Sequence, residues 1–231
     1  MNWWNKLTGN ANAPSRSQTA LTKLYGSGDE MPPKDIQWLL ENNKEYVRNR
    51  DPDIFDSIGK GQSPNYLWIG CSDSRADANA LLGLDLGQLF VHRNIANQAL
   101  GSDPSCMSVI QFSINYLKIP HIIVCGHYDC GGVKAALNRF NHQPPLENWV
   151  RNIRDVYRLH RAEIDALATL EEKQRRLVEL NVVEQCINLY KTDVVQQKRL
   201  ETVNNPDNPY SLPRIHALVF EPADGSLKEL P

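Results

Sequence analysis

The chain has 231 residues, 41% hydrophobic and 23% charged, which is enough for one sizeable core and short for two full domains. A net charge of −2 gives no bulk electrostatic case for a nucleic-acid or membrane partner. No apolar run approaches the ~20 residues that span a bilayer, and the N-terminus lacks the apolar centre of a signal peptide.

The first 34 residues are rich in Asn, Ser, Thr, Gly and Pro and end in Met31-Pro32-Pro33, so they read as an N-terminal arm. Trp3 and Trp4 read as anchors for another part of the protein or a partner subunit. Residues 1–28 contain no acid and several Ser/Thr, which shares features with a mitochondrial presequence, although Arg16 is the only arginine there. The five cysteines, Cys71, Cys106, Cys125, Cys130 and Cys186, argue for reduced thiols, because an odd count without a signal peptide does not make a disulfide framework. The expected compartment is therefore the cytoplasm, with the mitochondrion as the alternative.

A single domain is expected over residues 35–231. From Asp35 the pattern is helical, with Ile36, Leu39, Leu40, Tyr46 and Val47 on one face. Strands and helices then alternate. Tyr66–Cys71 reads as a buried strand, Asp77–Leu82 as a short helix closed by Gly83, and Leu89–Val91 as a strand. Asp103–Lys118 reads as a helix capped by Ser102 or Asp103, with Pro104 in its first turn and Pro120 ending it. Its apolar surface is expected from Val109, Phe112, Ile114, Tyr116 and Leu117. Ile122–Cys125 is a β-branched strand, 126–132 a turn, and Val133–Phe140 a helix. Residues 146–165 and 170–200 are amphipathic and helical. Arg214–Glu221 is a strand, and Ser226–Leu230 pairs back on it through the Asp224-Gly225 turn. The fold class is α/β: a central, mainly parallel β-sheet flanked by helices, with an N-terminal helical arm and a C-terminal strand hairpin.

In such folds, sites form where strands end and helices begin. Two stretches sit at such junctions. Cys71-Ser72-Asp73-Ser74-Arg75 puts a thiol, a carboxylate and a guanidinium at alternate positions, on one face of an extended backbone. His127-Tyr128-Asp129-Cys130 closes the next strand. Cys71, His127 and Cys130 together supply two thiolates and one imidazole, a set that suits zinc, and three protein ligands leave a fourth position for water or substrate. Two thiolates neutralise the dication, so ionising a bound water leans on a neighbouring group. Asp73 can accept a hydrogen bond from that water or hydroxide, and Arg75 can hold Asp73 ionised through a two-pronged pair. Cys106, Cys125 and Cys186 sit in patterns of helix or strand core.

These stretches, with Gly87-Gln88-Leu89-Phe90-Val91-His92-Arg93-Asn94, Cys125 to Gly132 and Glu179-Leu180-Asn181-Val182, resemble β-class carbonic anhydrases from about residue 35 to 230. The proline-broken C-terminal segment is similar to the fungal branch. The resemblance implies one Zn2+ per chain on Cys71, His127 and Cys130, an Asp73–Arg75 dyad, and reversible hydration of CO2 to bicarbonate by a zinc-bound hydroxide. It implies a homo-oligomer, dimer or tetramer, with a narrow apolar cleft at a subunit interface. Gln62 matches a bicarbonate-orienting glutamine. Phe90 and Phe112 match cleft walls, with Phe112 standing where many relatives carry tyrosine. Backbone N–H groups near Gly131 and Gly132 would soften thiolate charge. Trp68 and Arg93 match two parts of a bicarbonate pocket that shuts some bacterial relatives, whereas the third part falls on Phe220, which has no hydroxyl. The expected resting site is thus open, with Arg75 holding Asp73 off the metal. The alternatives are a hydrolase of carbonyl sulfide or carbon disulfide on the same site, and a non-catalytic protein in which Asp73 closes a structural zinc.

Overall fold

In the computed structural model, which describes residues 36–138, 140–203, 206 and 209–231, five strands form one sheet in the order β2-β1-β3-β4-β5. The strands are β1 (Tyr66–Cys71), β2 (Leu89–Asn94), β3 (His121–His127), β4 (Arg214–Phe220) and β5 (Leu227–Glu229). β1 to β4 are parallel, and β5 returns antiparallel to β4 as the expected hairpin. β1 and β3 are central and almost wholly buried, so both read as unbroken apolar runs. Their side chains alternate between two cores. Leu67 and Ile69 join Ile122 and Val124 in the larger one, while Trp68 joins Ile123, Cys125 and Phe220 in the smaller.

The chain divides into two compact units, residues 1–53 and 54–231. In the first, α1 (Ile36–Arg48) carries the expected set Ile36, Leu39, Leu40, Tyr46 and Val47, all exposed. The arm expected over residues 1–34, with Trp3 and Trp4, lies outside the described residues. α2 (Pro52–Ile58) follows.

The helices of the second unit start and stop for local reasons. α3 (Ala78–Leu82) is capped by the Asp77 carboxylate on the Ala80 N–H and closed by Gly83 at φ 61°, where glycine carries no Cβ penalty. α4 (Pro104–Asn115) is capped by Asp103 and ends a turn earlier than expected, since Lys118 turns left-handed at φ 57° before Pro120 is reached. Its buried face is Cys106, Ile110, Ser113 and Ile114, a stripe at helical spacing. Phe112 and Tyr116, expected on that face, fall off the stripe and are exposed. α5 (Gly131–Leu137) begins two residues before Val133, because Cys130 itself is the N-cap. The two long helical stretches are each broken: α6 (Leu146–Leu159) from α7 (Arg161–Asp165) at His160, and α8 (Leu170–Tyr190) from α9 (Asp193–Thr202) at Lys191-Thr192. A capping box of Thr169 and Glu172 starts α8.

α8 lies against β3 and β4. The approach is close at Gly126 on β3, where any Cβ would sit 2.6 Å from Val182 Cγ2. That glycine lets the helix run directly behind the C-terminal end of β3, where the site forms.

Candidate metal centre

The register sets the site. Gly70 pairs with Cys125 across β1 and β3, so Cys71 and His127 both emerge at the C-terminal edge of the sheet. Beyond Cys71 the backbone is braced from β2: Arg93 Nε donates to the Cys71 carbonyl at 2.8 Å and its Nη2 to the Asp73 carbonyl at 2.5 Å. Beyond His127 the chain reverses through Asp129, at φ 62°, a conformation that Asp tolerates better than most residues. The reversal brings Cys130 back beside Cys71.

Cys71, His127 and Cys130 are all buried, with their ligand atoms within 4.8 Å of one another. The two sulfurs are 4.0 Å apart. Two thiolates on one tetrahedral zinc, each at about 2.3 Å, stand about 3.8 Å apart, so the spacing fits the ion. His127 Nδ1 lies 2.9 Å from the Tyr128 carbonyl, an acceptor only, so Nδ1 is assigned the proton and Nε2 keeps a lone pair. That Nε2 is buried and has no hydrogen-bond partner among the described residues. An unpartnered imidazole lone pair facing two sulfurs is a donor set that fits a borderline-soft cation such as zinc.

The electrostatics agree. The Cys71 thiol is shifted towards thiolate, first by hydrogen bonding from Cys130, against burial, then by His127 and the N–H groups of Asp73 and Ala96. Ala96 N–H points at Cys71 Sγ from 3.4 Å. The Cys130 thiol is pushed up, by that neighbouring sulfur first and by burial second, while the N–H groups of Gly132 and Val133 work the other way. The shifts run in opposite directions, one sulfur favoured as thiolate and the other as thiol, and a dication supplies the reason to release the second proton.

Asp73 stands at the mouth of this set. Arg75 grips both its oxygens, Nε to Oδ1 and Nη2 to Oδ2, each at 2.9 Å, and the Arg75 N–H adds a bond to Oδ1 at 3.0 Å. This fork holds the Asp73 carboxyl far below the ordinary carboxylate range. Asp73 Oδ2 lies 3.8 Å from His127 Nε2. Arg75 also reaches Asp129 Oδ2 at 3.1 Å, and Asp129 pairs with Lys134. Arg75 therefore ties the first motif to the second. Asp129 gave no signal for this in the sequence, since its partner lies 54 positions away.

Other residues singled out in the sequence are placed as follows. Phe90 and Phe112 stack at 6.0 Å between ring centres, and Phe112 stacks on the exposed Tyr116 at 5.2 Å. Gln62 is exposed in the α2–β1 loop, in a hollow with Ser57, Ile58, Lys60 and Gly87. Gly132 abuts the 95–97 turn, where a Cβ would meet Ile95 Cγ2 at 2.8 Å; Gly131 has open space around it. Trp68 and Phe220 share the smaller core, while Arg93 donates to the carbonyls after β1. Cys125 is buried and Cys186 half-buried, and burial raises both thiols.

A second group, His92, Asp103 and Cys106, also has its ligand atoms within 4.8 Å. Sequence reading missed it, because it forms only when β2 and α4 pack together. Two of its polar atoms are already engaged. His92 Nε2 faces Asn94 Nδ2 at 3.2 Å, and Asp103 Oδ1 caps the Ser105 N–H at 2.9 Å. Burial first, then the Asp103 charge, push the Cys106 thiol up to about 12.

The family model described as carbonic anhydrase matches residues 66–227. A carbonic anhydrase of Emericella nidulans is 49% identical over 195 residues, 83% of this chain and 82% of that protein. The crystal structure of a β-carbonic anhydrase from Aspergillus fumigatus superposes with a TM-score of 0.76 at 36% identity, covering 84% of this chain and 90% of that one. One of two tetrameric β-carbonic anhydrases from Sordaria macrospora superposes with a TM-score of 0.76 at 32% identity, over 84% of this chain and 96% of that one.

Proposed function

The chain belongs to the β-class carbonic anhydrases, resembling fungal members, and we propose how its residues divide the work of zinc-dependent reversible hydration of CO2. Cys71, His127 and Cys130 hold the zinc. The observation that carries this reading is the buried, unpartnered His127 Nε2 facing two sulfurs beside an arginine-clamped carboxylate. When bound, zinc acts as a Lewis acid that lowers the pKa of a coordinated water.

The rest falls to the protein. The two thiolates offset the metal's charge, which leaves orientation of the nucleophile to Asp73. Asp73 is a pure acceptor at working pH, because Arg75 holds it ionised. With zinc bound, Asp73 would accept a hydrogen bond from a nucleophilic oxygen that still carries a proton and so orient it towards the substrate carbon; CO2 and water would give bicarbonate, with the one proton released passing to solvent. The Arg75 fork engages both Asp73 oxygens, which supports an open resting site in which Asp73 does not occupy the metal's fourth position. The stacked Phe90 and Phe112 offer an apolar surface to a substrate without a dipole, and Gln62 is assigned to a bicarbonate oxygen.

We further propose a homo-oligomer, dimer or tetramer, supported by the tetrameric Sordaria macrospora relatives and by the exposure of Phe112 at the proposed cleft. Five cysteines without a disulfide among the described residues support a reducing compartment, the cytoplasm first and the mitochondrion as the alternative. The test is stopped-flow CO2 hydration with zinc measured in the same sample. Asp73→Asn is expected to keep its zinc and lose most of its hydration rate; unchanged hydration removes Asp73 from this scheme.

A further inference from the structure

Helix α8 carries the segment Glu179-Leu180-Asn181-Val182, which has no part in the chemistry above, yet two of its side chains reach both halves of the metal centre. Glu179 Oε1 accepts from the Tyr128 hydroxyl at 2.7 Å and from Lys228 Nζ at 2.9 Å, and Oε2 accepts from Arg176 at 2.7 Å. Tyr128 follows His127 directly, and its carbonyl is the group that fixes the His127 tautomer. Its ring lies under the Arg175 guanidinium at 3.6 Å, and Arg175 is itself paired with Glu221 at 2.9 Å. The backbone N–H of Tyr128 donates to the Phe220 carbonyl at 2.9 Å. A side chain held at hydroxyl, ring and backbone has little freedom to move the carbonyl that aims His127.

The other tether serves Cys71. Asn181 Nδ2 donates to the Ala96 carbonyl at 3.0 Å, and the Ala96 N–H faces Cys71 Sγ. Ala96 is held left-handed at φ 61°, a conformation that is strained for a non-glycine residue and persists only when its surroundings enforce it. Asn181 is itself oriented: Gln185 Nε2 donates to Asn181 Oδ1 at 3.1 Å, while Gln185 Oε1 accepts from the Ala99 N–H at 2.9 Å. Asn181 is fully enclosed, and only 13% of the Glu179 side chain is exposed.

We propose that Glu179 and Asn181 are positioning residues, which set the aim of His127 through Tyr128 and the hydrogen bond to Cys71 through Ala96, so that α8 governs how tightly zinc is held. The inference rests on the assignment of Cys71, His127 and Cys130 as the zinc ligands. It separates positioning from plain structural support: packing alone predicts lower thermal stability with unchanged metal release, whereas positioning predicts faster release from a folded protein.

The test is the rate of zinc transfer from the purified holoenzyme to a chromogenic chelator, with circular dichroism confirming the fold. Tyr128→Phe keeps the ring under Arg175 and removes only the hydroxyl. It and Glu179→Ala are each expected to release zinc on the order of 10-fold faster. The double variant should match the single ones, since both cut one tether. Glu179→Gln, which keeps an acceptor for Tyr128, should stay within about 2-fold of wild type. Asn181→Ala acts on the other half, and its effect should multiply with that of Glu179→Ala. Wild-type release rates in both folded Tyr128→Phe and folded Asn181→Ala overturn the proposal, as do multiplying effects of Tyr128→Phe and Glu179→Ala. A Cys130→Ser control separates the two levels: if it still holds one zinc per chain at wild-type release rate, the ligand assignment falls and the positioning role falls with it.

Discussion

Cys71, His127 and Cys130 at the ends of β1 and β3, and His92, Asp103 and Cys106 between β2 and α4, each gather their ligand atoms within 4.8 Å. In the first set the imidazole lone pair is orphaned and one sulfur is already shifted towards thiolate. In the second, one ring nitrogen and one carboxylate oxygen have partners, and the thiol is pushed up to about 12. The histidines move in opposite directions. Burial lowers both, but around His127 the Cys71 sulfur, Asp73 and the Tyr128 carbonyl outweigh it, whereas Asp103 only offsets part of it for His92. Residue type and proximity do not make a metal centre; uncommitted lone pairs and surrounding negative charge do.

The largest effect that can break this contrast is metal loss. Cys130→Ser or Cys71→Ser should take the purified protein from about one zinc per chain to nearly none, and Cys106→Ser should leave it at about one, by elemental analysis. A second zinc per chain that disappears only in Cys106→Ser would erase the distinction. Next is Asp73→Asn, expected to keep zinc and lose roughly 10- to 100-fold in CO2 hydration, whereas Asp103→Asn, which carries an acid of the second set, should leave hydration unchanged. Smaller is the packing role of Cys106. It is fully buried, so Cys106→Ser buries a hydroxyl and should cost about 1–3 kcal/mol in urea unfolding, with activity intact.

The smallest effect is a pH dependence. Because His92 has a lowered pKa in the folded protein, the unfolded chain binds its proton first as pH falls through about 6.5. Stability from this group is therefore complete above that value and declines below it. The unfolding midpoint should drop less between about pH 7.5 and pH 5.5 in His92→Gln than in wild type. Asp73 has the same sign in a more acidic window: its depressed pKa gives stability that is lost as pH falls through and below the ordinary carboxylate range.

Local signals carried much of this into the sequence. Asp77 and Gly83 bound α3, Asp103 and Pro104 start α4, and the apolar runs of β1 and β3 lie where they read. Cys71, His127 and Cys130 were legible because two short motifs each end a strand, and adjacent parallel strands bring such ends together. The misreadings came from tertiary terms. Phe112 and Tyr116 are large and apolar, yet packing chose the Cys106–Ile110–Ser113 stripe for the core. α4 stops at Asn115 because Lys118 adopts a left-handed turn, which no residue type announces. Contacts such as Glu179 to Tyr128, 51 positions apart, and Arg93 to the Asp73 carbonyl depend on the assembled sheet and helix.

The claim that two thiolates and one imidazole hold the zinc is tested most directly by X-ray absorption at the zinc edge on the zinc-loaded protein. The account predicts two sulfurs at about 2.3 Å and two nitrogen or oxygen neighbours at about 2.0–2.1 Å. A shell with one sulfur or none, or with four light neighbours, would contradict it.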